Sequence, residues 1–378
     1  MRKKFSNPNH YQVCAHCVMD TTDSDIQFDS EGICNHCKQC VQLMKTCPTE
    51  VELNVLVSKI KERGKHQKYD CIIGLSGGVD SSYVAYQVKR LGLRPLAVHL
   101  DNGWDSELAV KNIENIARKL DFDLYTYVID WEEFRDLQLA FLRASVVDIE
   151  MLTDHAITAV LFKNALQWGV KYIISGSNIA TEAIMPRTWN HRKSDLRNIR
   201  AIQKLYGTKK IKSFPTASTY SILYCKYIRR IKMIRLLDFL PYDKQKAISI
   251  LTDTLGWRHY GGKHYESIFT RFYQGYILPK KFGIDKRRAH LSALICSNQI
   301  TRKAALSELQ QESYDSHTFM EDKSFVLKKL SLSEEEFEQF MKAPMKSHLD
   351  YKSDQSAVAL LLRARSIAQR AFRKHRSS

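Results

Sequence analysis

The chain has 378 residues, of which 44% are apolar and 26% charged, and its formal net charge is +17. This length leaves room for two or three domains, and the composition is that of a globular protein. No apolar run approaches the ~20 residues of a membrane span, and the N-terminus lacks the apolar stretch of a signal peptide. We therefore expect a cytoplasmic protein without a transmembrane segment.

The first predicted element is a zinc-knuckle module in residues 1–47. Cys14 and Cys17 form one Cys-x-x-Cys pair, and Cys34 and Cys37 form a second one after sixteen intervening residues. Two such pairs at this separation are typical of a structural Zn²⁺ site with four thiolate ligands. Disulfides are the alternative, which a cytoplasmic location disfavours.

The remaining cysteines and the knuckle histidines receive other interpretations. Cys40 and Cys47 lie close enough in sequence to serve as alternative metal ligands. His16 and His36 could also replace a thiolate, but we interpret them as neighbours of the site. Three cysteines stand alone and are predicted to be small core residues: Cys71, Cys225 and Cys296.

After a polar helical connector (residues 48–68), residues 69–82 read YDCIIGLSGGVDSS. They predict a short apolar strand, a turn with two glycines, and then a helix. Glycines let backbone amides approach an anion closely, and a helix N-terminus offers unpaired N–H groups. The turn therefore predicts a polyphosphate site formed by the residues around one carboxylate: Ser76, Gly77, Gly78, Val79, Ser81 and Ser82.

The carboxylate in this turn is Asp80, which repels phosphates unless a divalent cation such as Mg²⁺ bridges them. The Walker pattern is absent, because no Gly-Lys-Ser/Thr ending follows. Instead, the turn resembles the SGGxDS signature of the ATP pyrophosphatase (PP-loop) enzymes, which cleave ATP between the α and β phosphates and adenylate a carbonyl oxygen. The competing interpretation is a Gly-Ser turn between an ordinary strand and helix.

Strands and helices alternate up to residue 186. Further strands are predicted at residues 95–100, 124–129 and 171–175, with helices between them, which indicates an α/β fold with a doubly wound parallel sheet in residues 48–186. Ligands of such sheets bind beyond the carboxyl ends of the strands. We therefore add to the ATP site the polar residues at the other strand ends: His99, Asp101, Gly176, Ser177 and Asn178.

Residues 187–310 are predicted to form a basic, largely helical region that completes the active site, followed by a helical extension over residues 311–378. Sixteen Lys and Arg stand against three acids in residues 187–246, and residues 227–240 suit a basic amphipathic helix. Such a region fits a partner, an anionic surface or a charged substrate.

Residues 256–288 form a second polar cluster, after which little can be assigned. Cations placed where negative charge develops stabilise adenylyl transfer. We assign catalytic roles to Lys263, Lys286 and Arg287, and orienting roles to Glu266 and Asp285. The aromatic residues between them are predicted to belong to a helix core: Phe269, Phe272, Tyr273 and Tyr276.

Several of these motifs together resemble the N-acetyl sugar amidotransferase family of bacterial surface-polysaccharide (lipopolysaccharide, O-antigen) synthesis, over residues 10–310. They are the knuckles followed by VMDTT (residues 18–22), SGGVDS (76–81), SGSNIATE (175–182), WRHYGGKHYES (257–267), DKR (285–287) and HLS (290–292). The resemblance adds Glu182 as a substrate-site residue. It implies that ATP adenylates the N-acetyl oxygen of a nucleotide-activated sugar and that ammonia then displaces AMP, which leaves an acetamidino group.

The resemblance also implies that a separate glutaminase and a cyclase-like barrel subunit supply the ammonia, because no glutaminase residues are recognisable here. One alternative is a tRNA-thiolating PP-loop enzyme with zinc knuckles, which would need a pair of catalytic cysteines. Another is a zinc-knuckle RNA-binding protein. Such an RNA-binding protein would carry a decayed nucleotide-binding fold, and the intact loop of residues 76–82 argues against it. Nucleic acid is therefore not the expected partner.

Overall fold

The computed structural model describes residues 11–260, 266–356, 358 and 359. Five strands form one sheet in the order β3-β2-β1-β4-β5, and every neighbouring pair is parallel. The strands are β1 (Cys71–Gly74), β2 (Pro95–Asp101), β3 (Asp123–Val128), β4 (Tyr172–Ser175) and β5 (Lys232–Arg235). The predicted doubly wound parallel α/β fold is therefore confirmed.

Helices connect and cover the strands. In the first half of the chain the helices are α1 (Asn35–Lys45), α2 (Glu50–Gly64), α3 (Val79–Arg90), α4 (Glu107–Leu120), α5 (Trp131–Ala144), α6 (Met151–Gln167) and α7 (Ile179–Glu182). The later ones are α8 (Leu196–Tyr206), α9 (Thr219–Leu223), α10 (Lys244–Leu255), α11 (Ile268–Phe272), α12 (Lys286–Cys296), α13 (Arg302–Gln310), α14 (Ser316–Leu330) and α15 (Glu334–Lys342). Two of them, α9 and α11, continue as π-helical segments over Tyr224–Ile228 and Tyr273–Phe282.

The central strand β1 is an apolar run because helices cover both faces of the sheet. Cys71, Ile72 and Ile73 are each 0% exposed, although consecutive side chains of a strand point to opposite faces. Helix α3 packs with Ile73 on one face, and α6 packs with Ile72 on the other. The apolar run therefore marks a doubly covered strand.

One predicted element is wrong. Residues 227–240 do not form a basic amphipathic helix: the helix ends at Ile228, Arg230 takes a left-handed backbone conformation (φ +55°), and β5 follows at Lys232–Arg235. The edge of β4 offers backbone hydrogen bonds that a strand can use, and this tertiary partner outweighs the local pattern. The sheet thus extends past residue 186, while the division of the chain into domains stays a prediction.

The aromatic stretch after residue 266 lies in the core, as predicted. Phe269, Phe272 and Tyr273 are at most 4% exposed, and Tyr276 packs against their cluster. None of the helices in the described part of the chain combines the length and the apolar character needed to cross a bilayer.

Candidate nucleotide site and metal centre

The phosphate loop (residues 76–82) leaves the carboxyl end of β1 and starts α3. Gly77 has φ +77°, and a Cβ on it would lie 2.7 Å from the backbone oxygen of Ala109, so only glycine fits. The Trp257 indole donates to the Gly77 oxygen at 2.9 Å. The loop is therefore held from below by α4 and from the side by the chain after α10.

Hydroxyl groups accept hydrogen bonds from the backbone amides of the loop. The Ser76 amide donates to Ser81 Oγ at 3.2 Å, and the Gly78 amide donates to Ser76 Oγ at 3.4 Å. The Val79 amide donates to the Tyr260 hydroxyl at 3.2 Å. These N–H groups point at oxygen atoms, which is the orientation that phosphate oxygens require.

Ser82 differs from the other predicted loop residues. Its side chain is 0% exposed, and its hydroxyl has no hydrogen-bond partner within the described residues. Its amide donates to the Gly78 oxygen as part of α3. Ser82 therefore packs under the loop, and its predicted contact with the phosphates stays a prediction.

Asp80 lies in the first turn of α3 and accepts a hydrogen bond from the Tyr242 hydroxyl. The pKa of Tyr242 is raised, first by burial and then by the charge and hydrogen bond of Asp80, with a smaller effect from Glu182. The Gln299 side chain holds the Tyr242 carbonyl at 3.2 Å. A carboxylate has several acceptor positions, so this bond is compatible with the hard oxygen ligand that Mg²⁺ prefers.

The turn after β4 touches the start of α3. A Cβ on Gly176 would lie 3.0 Å from the Ser81 nitrogen, so the two backbones are in close contact. Asn178 caps α7 by accepting from the Thr181 amide at 2.8 Å, and the Ser177 amide donates to Ser175 Oγ at 3.1 Å. The structure thus brings the two predicted glycine-containing turns together at one edge of the sheet.

His99, at the end of β2, is tied to both sides of this edge. Its Nδ1 donates to the Leu75 oxygen at 3.0 Å, and its Nε2 lies 3.4 Å from Asp105 Oδ2. Burial lowers the pKa of His99, but the hydrogen bond and charge of Asp105 outweigh it and raise that pKa overall. The pKa of Asp105 is raised by burial, and the charges of Asp101 and Glu266 add to this. Both members of this pair therefore bind a proton more readily than the free side chains do.

Two predicted acidic residues flank this pair. Asp101 accepts from the Gly103 amide at 2.8 Å, which shapes the turn after β2. The Glu266 carbonyl accepts from the Ser106 amide at 2.8 Å, and its carboxylate lies near Gly78, with Oε1 at 3.4 Å from the position of a Cβ there. Glu266 is thus brought to the loop, while the orienting role predicted for it stays a prediction.

Three residues of this edge were missed from the sequence. Tyr242 has no motif around it. Tyr260 belongs to the WRHYGGKHYES motif (residues 257–267), but no role was predicted for it. Asp105 follows β2 by four residues, so its position after a strand was a signal that could have been used.

Lys286 lies on another part of the same edge. Its Nζ bonds Glu150 at 2.7 Å, and the Gln274 amide bonds the same carboxylate at 2.9 Å. Glu150 precedes α6, whose Thr153 accepts from Asn102, directly after β2, at 3.2 Å. Lys286 is thus joined to the strand ends through α6. Lys263 lies outside the described residues.

Arg287 and Asp285 are placed differently. The guanidinium of Arg287 bonds Asp285 at 2.8 Å and the backbone oxygen of Gln311, just past α13, at 2.9 Å. Asp285 also caps α12 by accepting from the Arg287 amide at 3.0 Å. None of these partners belongs to the phosphate loop, so the contacts among the described residues favour a role in joining α12 to α13.

The zinc-knuckle cysteines form one buried cluster. The sulfur–sulfur distances are 3.8 Å from Cys14 to Cys37, 3.7 Å from Cys17 to Cys34 and 3.7 Å from Cys34 to Cys37. Four thiolates about 2.3 Å from a tetrahedral Zn²⁺ stand about 3.8 Å apart, so the geometry fits this metal. Hydrogen bonds from the neighbouring thiols lower the pKa of Cys14.

The module rests on α12 and on the turn before α13. Arg302 donates to the backbone oxygens of Cys14 at 2.9 Å and Cys17 at 3.0 Å. The Val18 amide donates to Ser292 Oγ at 3.2 Å. Cys296, the last residue of α12, lies 3.9 Å from Cys37 between their sulfurs. The four-cysteine module is thus packed on the helix that carries Lys286.

The histidines of the knuckles stand beside the cluster. His36 pairs with Asp23 at 2.6 Å, whereas His16 Nδ1 lies 3.5 Å from the Cys37 sulfur. Cys71, Cys225 and Cys296 are all buried in the core, as predicted.

Comparison with known families supports the sequence motifs. Residues 266–365 match the family model described as "LPS biosynthesis protein WbpG-like, C-terminal domain". A curated tRNA(Ile)-lysidine synthase of Chlamydia pneumoniae is 35% identical over 71 residues, which are 18% of this chain and 22% of that protein. The chain therefore matches only about a fifth of the length of this relative.

Among solved structures, the NH3-dependent NAD synthetase of Campylobacter jejuni is similar with 14% identity and a TM-score of 0.28, over 82% of this chain and 98% of that one. The NMN synthetase of Francisella tularensis has 14% identity and a TM-score of 0.27, over 58% and 87%. Both similarities are remote. The WbpG-like match over residues 266–365 and the PP-loop motif in its strand–helix setting support the resemblance in these parts of the chain.

Proposed function

We propose that this protein is an ATP-dependent amidotransferase that converts the N-acetyl group of a nucleotide-activated sugar to an acetamidino group during surface-glycan synthesis. One observation carries the proposal. Glu266, the first residue of the WbpG-like match, has its carboxylate beside Gly78 of the phosphate loop. Its carbonyl also accepts from the amide of Ser106, the residue before α4, at 2.8 Å. An ATP-type loop and a glycan-synthesis domain thus contribute to one site.

The reaction follows from the chemistry of an amide. Its oxygen attacks the α-phosphorus of ATP, and pyrophosphate leaves. Ammonia then attacks the imidate carbon, AMP departs with the former amide oxygen, and one proton is lost from nitrogen. The amides of the phosphate loop would hold the polyphosphate, and Mg²⁺, when bound at Asp80, would offset the charge of the leaving pyrophosphate.

The pair His99–Asp105 can accept the proton that nitrogen loses. It is buried at the carboxyl end of β2, and the charges of Asp101 and Glu266 lie nearby. A cluster of partly buried acids also favours a cation, which suits the ammonium from which ammonia is formed. We infer that this part of the edge receives the nitrogen substrate from a glutaminase and a cyclase-like barrel subunit.

The proposal is tested with the purified protein, ATP, Mg²⁺ and a nucleotide-activated N-acetyl sugar whose acetyl oxygen is labelled with ¹⁸O. We expect pyrophosphate, amidino sugar and ¹⁸O-labelled AMP when ammonium is added, and no amidino sugar when glutamine is added alone. Unlabelled AMP would contradict adenylation of the acetyl oxygen. Turnover with glutamine and no partner would contradict the need for a separate glutaminase.

A second candidate substrate is tRNA, which the match to a tRNA(Ile)-lysidine synthase and the basic residues 187–246 favour. Thiolation would need a pair of cysteines near the loop. Cys225 and Cys296, however, are buried in different hydrophobic clusters, and Cys296 lies against the knuckle. ATP consumption that depends on tRNA in the same assay would favour this alternative.

A further inference from the structure

One surface of the molecule is apolar and basic at once and takes no part in the site described above. It belongs to the π-helical segment Tyr224–Ile228 and the turn that follows. Tyr224, Tyr227 and Ile228 are 48%, 49% and 67% exposed. Three cations lie among or directly after them in sequence and are also exposed: Lys226, Arg229 and Arg230. We call these six residues the amino-edge patch.

The patch is not the outer side of an ordinary amphipathic helix. The inner side of the same helix already buries Ile222 and Cys225, which are 8% and 4% exposed, in the core under the sheet. A surface helix normally places polar residues on its outer side. A helix that also carries apolar residues on its outer side buries them against something else, such as another protein or a membrane. The exposed Tyr224 and Ile228 therefore indicate such an environment outside the protein.

The position of the patch excludes a role in the candidate active site. Arg229 and Arg230 directly precede the start of β5, whose first residue, Lys232, pairs with Tyr172 at the start of β4. The phosphate loop leaves the opposite, carboxyl edge of the sheet. Four-residue strands separate the two edges by roughly 10 Å or more. A ligand of the patch thus leaves the active-site edge open.

The turn that presents the patch is well anchored. The Arg229 carbonyl accepts from Lys171 Nζ at 3.2 Å, and the Ile231 amide donates to the Cys225 oxygen at 2.9 Å. Arg230 takes a left-handed backbone conformation at φ +55°. The exposed side chains are therefore held in place by a structured turn.

Charge and side-chain type identify the ligand. Residues 196–237 contain eleven Lys and Arg and no acid. Within the described residues, Lys226, Arg229 and Arg230 form no ion pair. A second copy of a chain with net charge +17 would be repelled, and Ile228 gains nothing from stacking on bases. A protein interface gathers its apolar residues in a core with a polar rim and few lysines, whereas here cations and apolar residues are intermixed along residues 224–230.

We propose that the amino-edge patch binds the surface of a membrane that contains anionic lipids. Tyrosine and isoleucine enter the boundary between headgroups and acyl chains, while lysine and arginine reach the lipid phosphates. The molecule would then lie on the bilayer with the carboxyl edge of its sheet, and hence the candidate active site, turned away from the lipid. This inference does not depend on which reaction the site performs.

The test is co-sedimentation of the full-length protein with large vesicles of phosphatidylcholine, with and without about a third of phosphatidylglycerol. We expect binding to the anionic vesicles that weakens as salt is raised. Lys226→Gln with Arg229→Gln removes two cations and should lower the partition coefficient at least ~10-fold. Tyr224→Ser with Ile228→Ser should lower it to a similar extent, because apolar area no longer enters the interface.

A matched control is Lys59→Gln with Arg63→Gln, which removes two exposed cations from α2. It should bind vesicles like the unchanged protein, and pyrophosphate release should be retained by all three double variants. Equal binding to neutral and anionic vesicles would overturn the proposal, as would patch variants that bind like the control. Loss of RNA binding, rather than vesicle binding, in the patch variants would show a nucleic-acid surface instead.

Discussion

The phosphate loop and the first turn of α12 are both polar helix starts, yet their charged residues stand in different surroundings. In the loop, backbone amides point to hydroxyl oxygens, and Asp80 is bonded by a neutral tyrosine. In α12, Lys286 is already neutralised by Glu150 and Arg287 by Asp285. A dense run of charges in a sequence therefore does not show whether those charges are available to a ligand, because this depends on partners distant in the chain.

The largest expected effect concerns the four-cysteine cluster, which packs against α12. Changing Cys14 and Cys17 to Ser should remove one equivalent of Zn²⁺ and lower the free energy of unfolding by several kcal/mol, because structural zinc contributes directly to folding. Metal analysis and thermal unfolding measure this. Cys47→Ser, outside the sulfur cluster, is the control and should retain the metal. An unchanged zinc content in the double variant would show that the ligands have been misassigned.

Asp80→Asn should nearly abolish pyrophosphate release, with a loss of ~10²–10³-fold or more, because the anionic ligand disappears while the shape stays. The free energy of unfolding should change by less than ~1 kcal/mol. Tyr242→Phe keeps the carboxylate and removes only its hydrogen bond, so its effect should be smaller. If Asp80→Asn retains full activity, the loop is not the site of ATP cleavage.

Gly77→Ala tests whether the loop is held as tightly as its contacts suggest. The added Cβ would meet the Ala109 oxygen at 2.7 Å, and the left-handed backbone adds about 1–2 kcal/mol of strain. Gly283 also has positive φ (+66°), but among the described residues no atom lies within 4 Å of its Cβ position. Gly283→Ala should therefore show only the backbone strain, and Gly77→Ala more destabilisation together with lost activity. Equal destabilisation would mean that the close approach is relieved easily.

The free energy of unfolding should fall as the pH drops below about 6.5, because His348 is buried without a charge. His348 donates to Asn198 at 2.8 Å and accepts from the Asp148 amide at 3.2 Å, so neither ring nitrogen has room for a further proton. Burial lowers its pKa to about 3 from an ordinary value of 6.5. The unfolded chain therefore binds the proton first, and acidification from pH 7 to 5 should remove about 2 kcal/mol of stability.

The measurement is the free energy of unfolding by denaturant at several pH values. His348→Gln should flatten the dependence between pH 7 and 5. His317, whose side chain is 83% exposed, is the control, and His317→Gln should leave the slope unchanged. An unaltered slope in the His348 variant would assign the acid sensitivity to other groups.

The smallest expected effects distinguish the roles of the neighbouring cations Lys286 and Arg287 in α12. Lys286→Gln should raise KM for the nucleotide sugar by ~10-fold with little change in kcat, since Lys286 lies on the site edge and can exchange Glu150 for an anionic group of the substrate. Arg287→Gln should leave the kinetic constants within ~2-fold and lower stability by about 1 kcal/mol, because it joins α12 to α13. Equal kinetic losses would place both cations in the site.

Much of this molecule could be predicted from local patterns. The spacing of Cys14, Cys17, Cys34 and Cys37 indicated a cluster, and the apolar run before residue 76 indicated a buried strand ending in an anion-binding turn. Such features depend on residues within a few positions of one another, where bond lengths and backbone conformation leave few choices. The alternation of strands and helices then determined a parallel sheet and the edge at which its polar ends meet.

Only the tertiary structure decided which polar residues share the site. Tyr242 reaches Asp80 from 162 positions away, and Arg287 turns to the end of α13 although its sequence neighbours suggested the phosphates. Residues 232–235 became a strand because β4 offered an open edge, against the helical pattern of the segment. Pairing between distant groups depends on packing, and packing is a property of the whole chain that no local pattern contains.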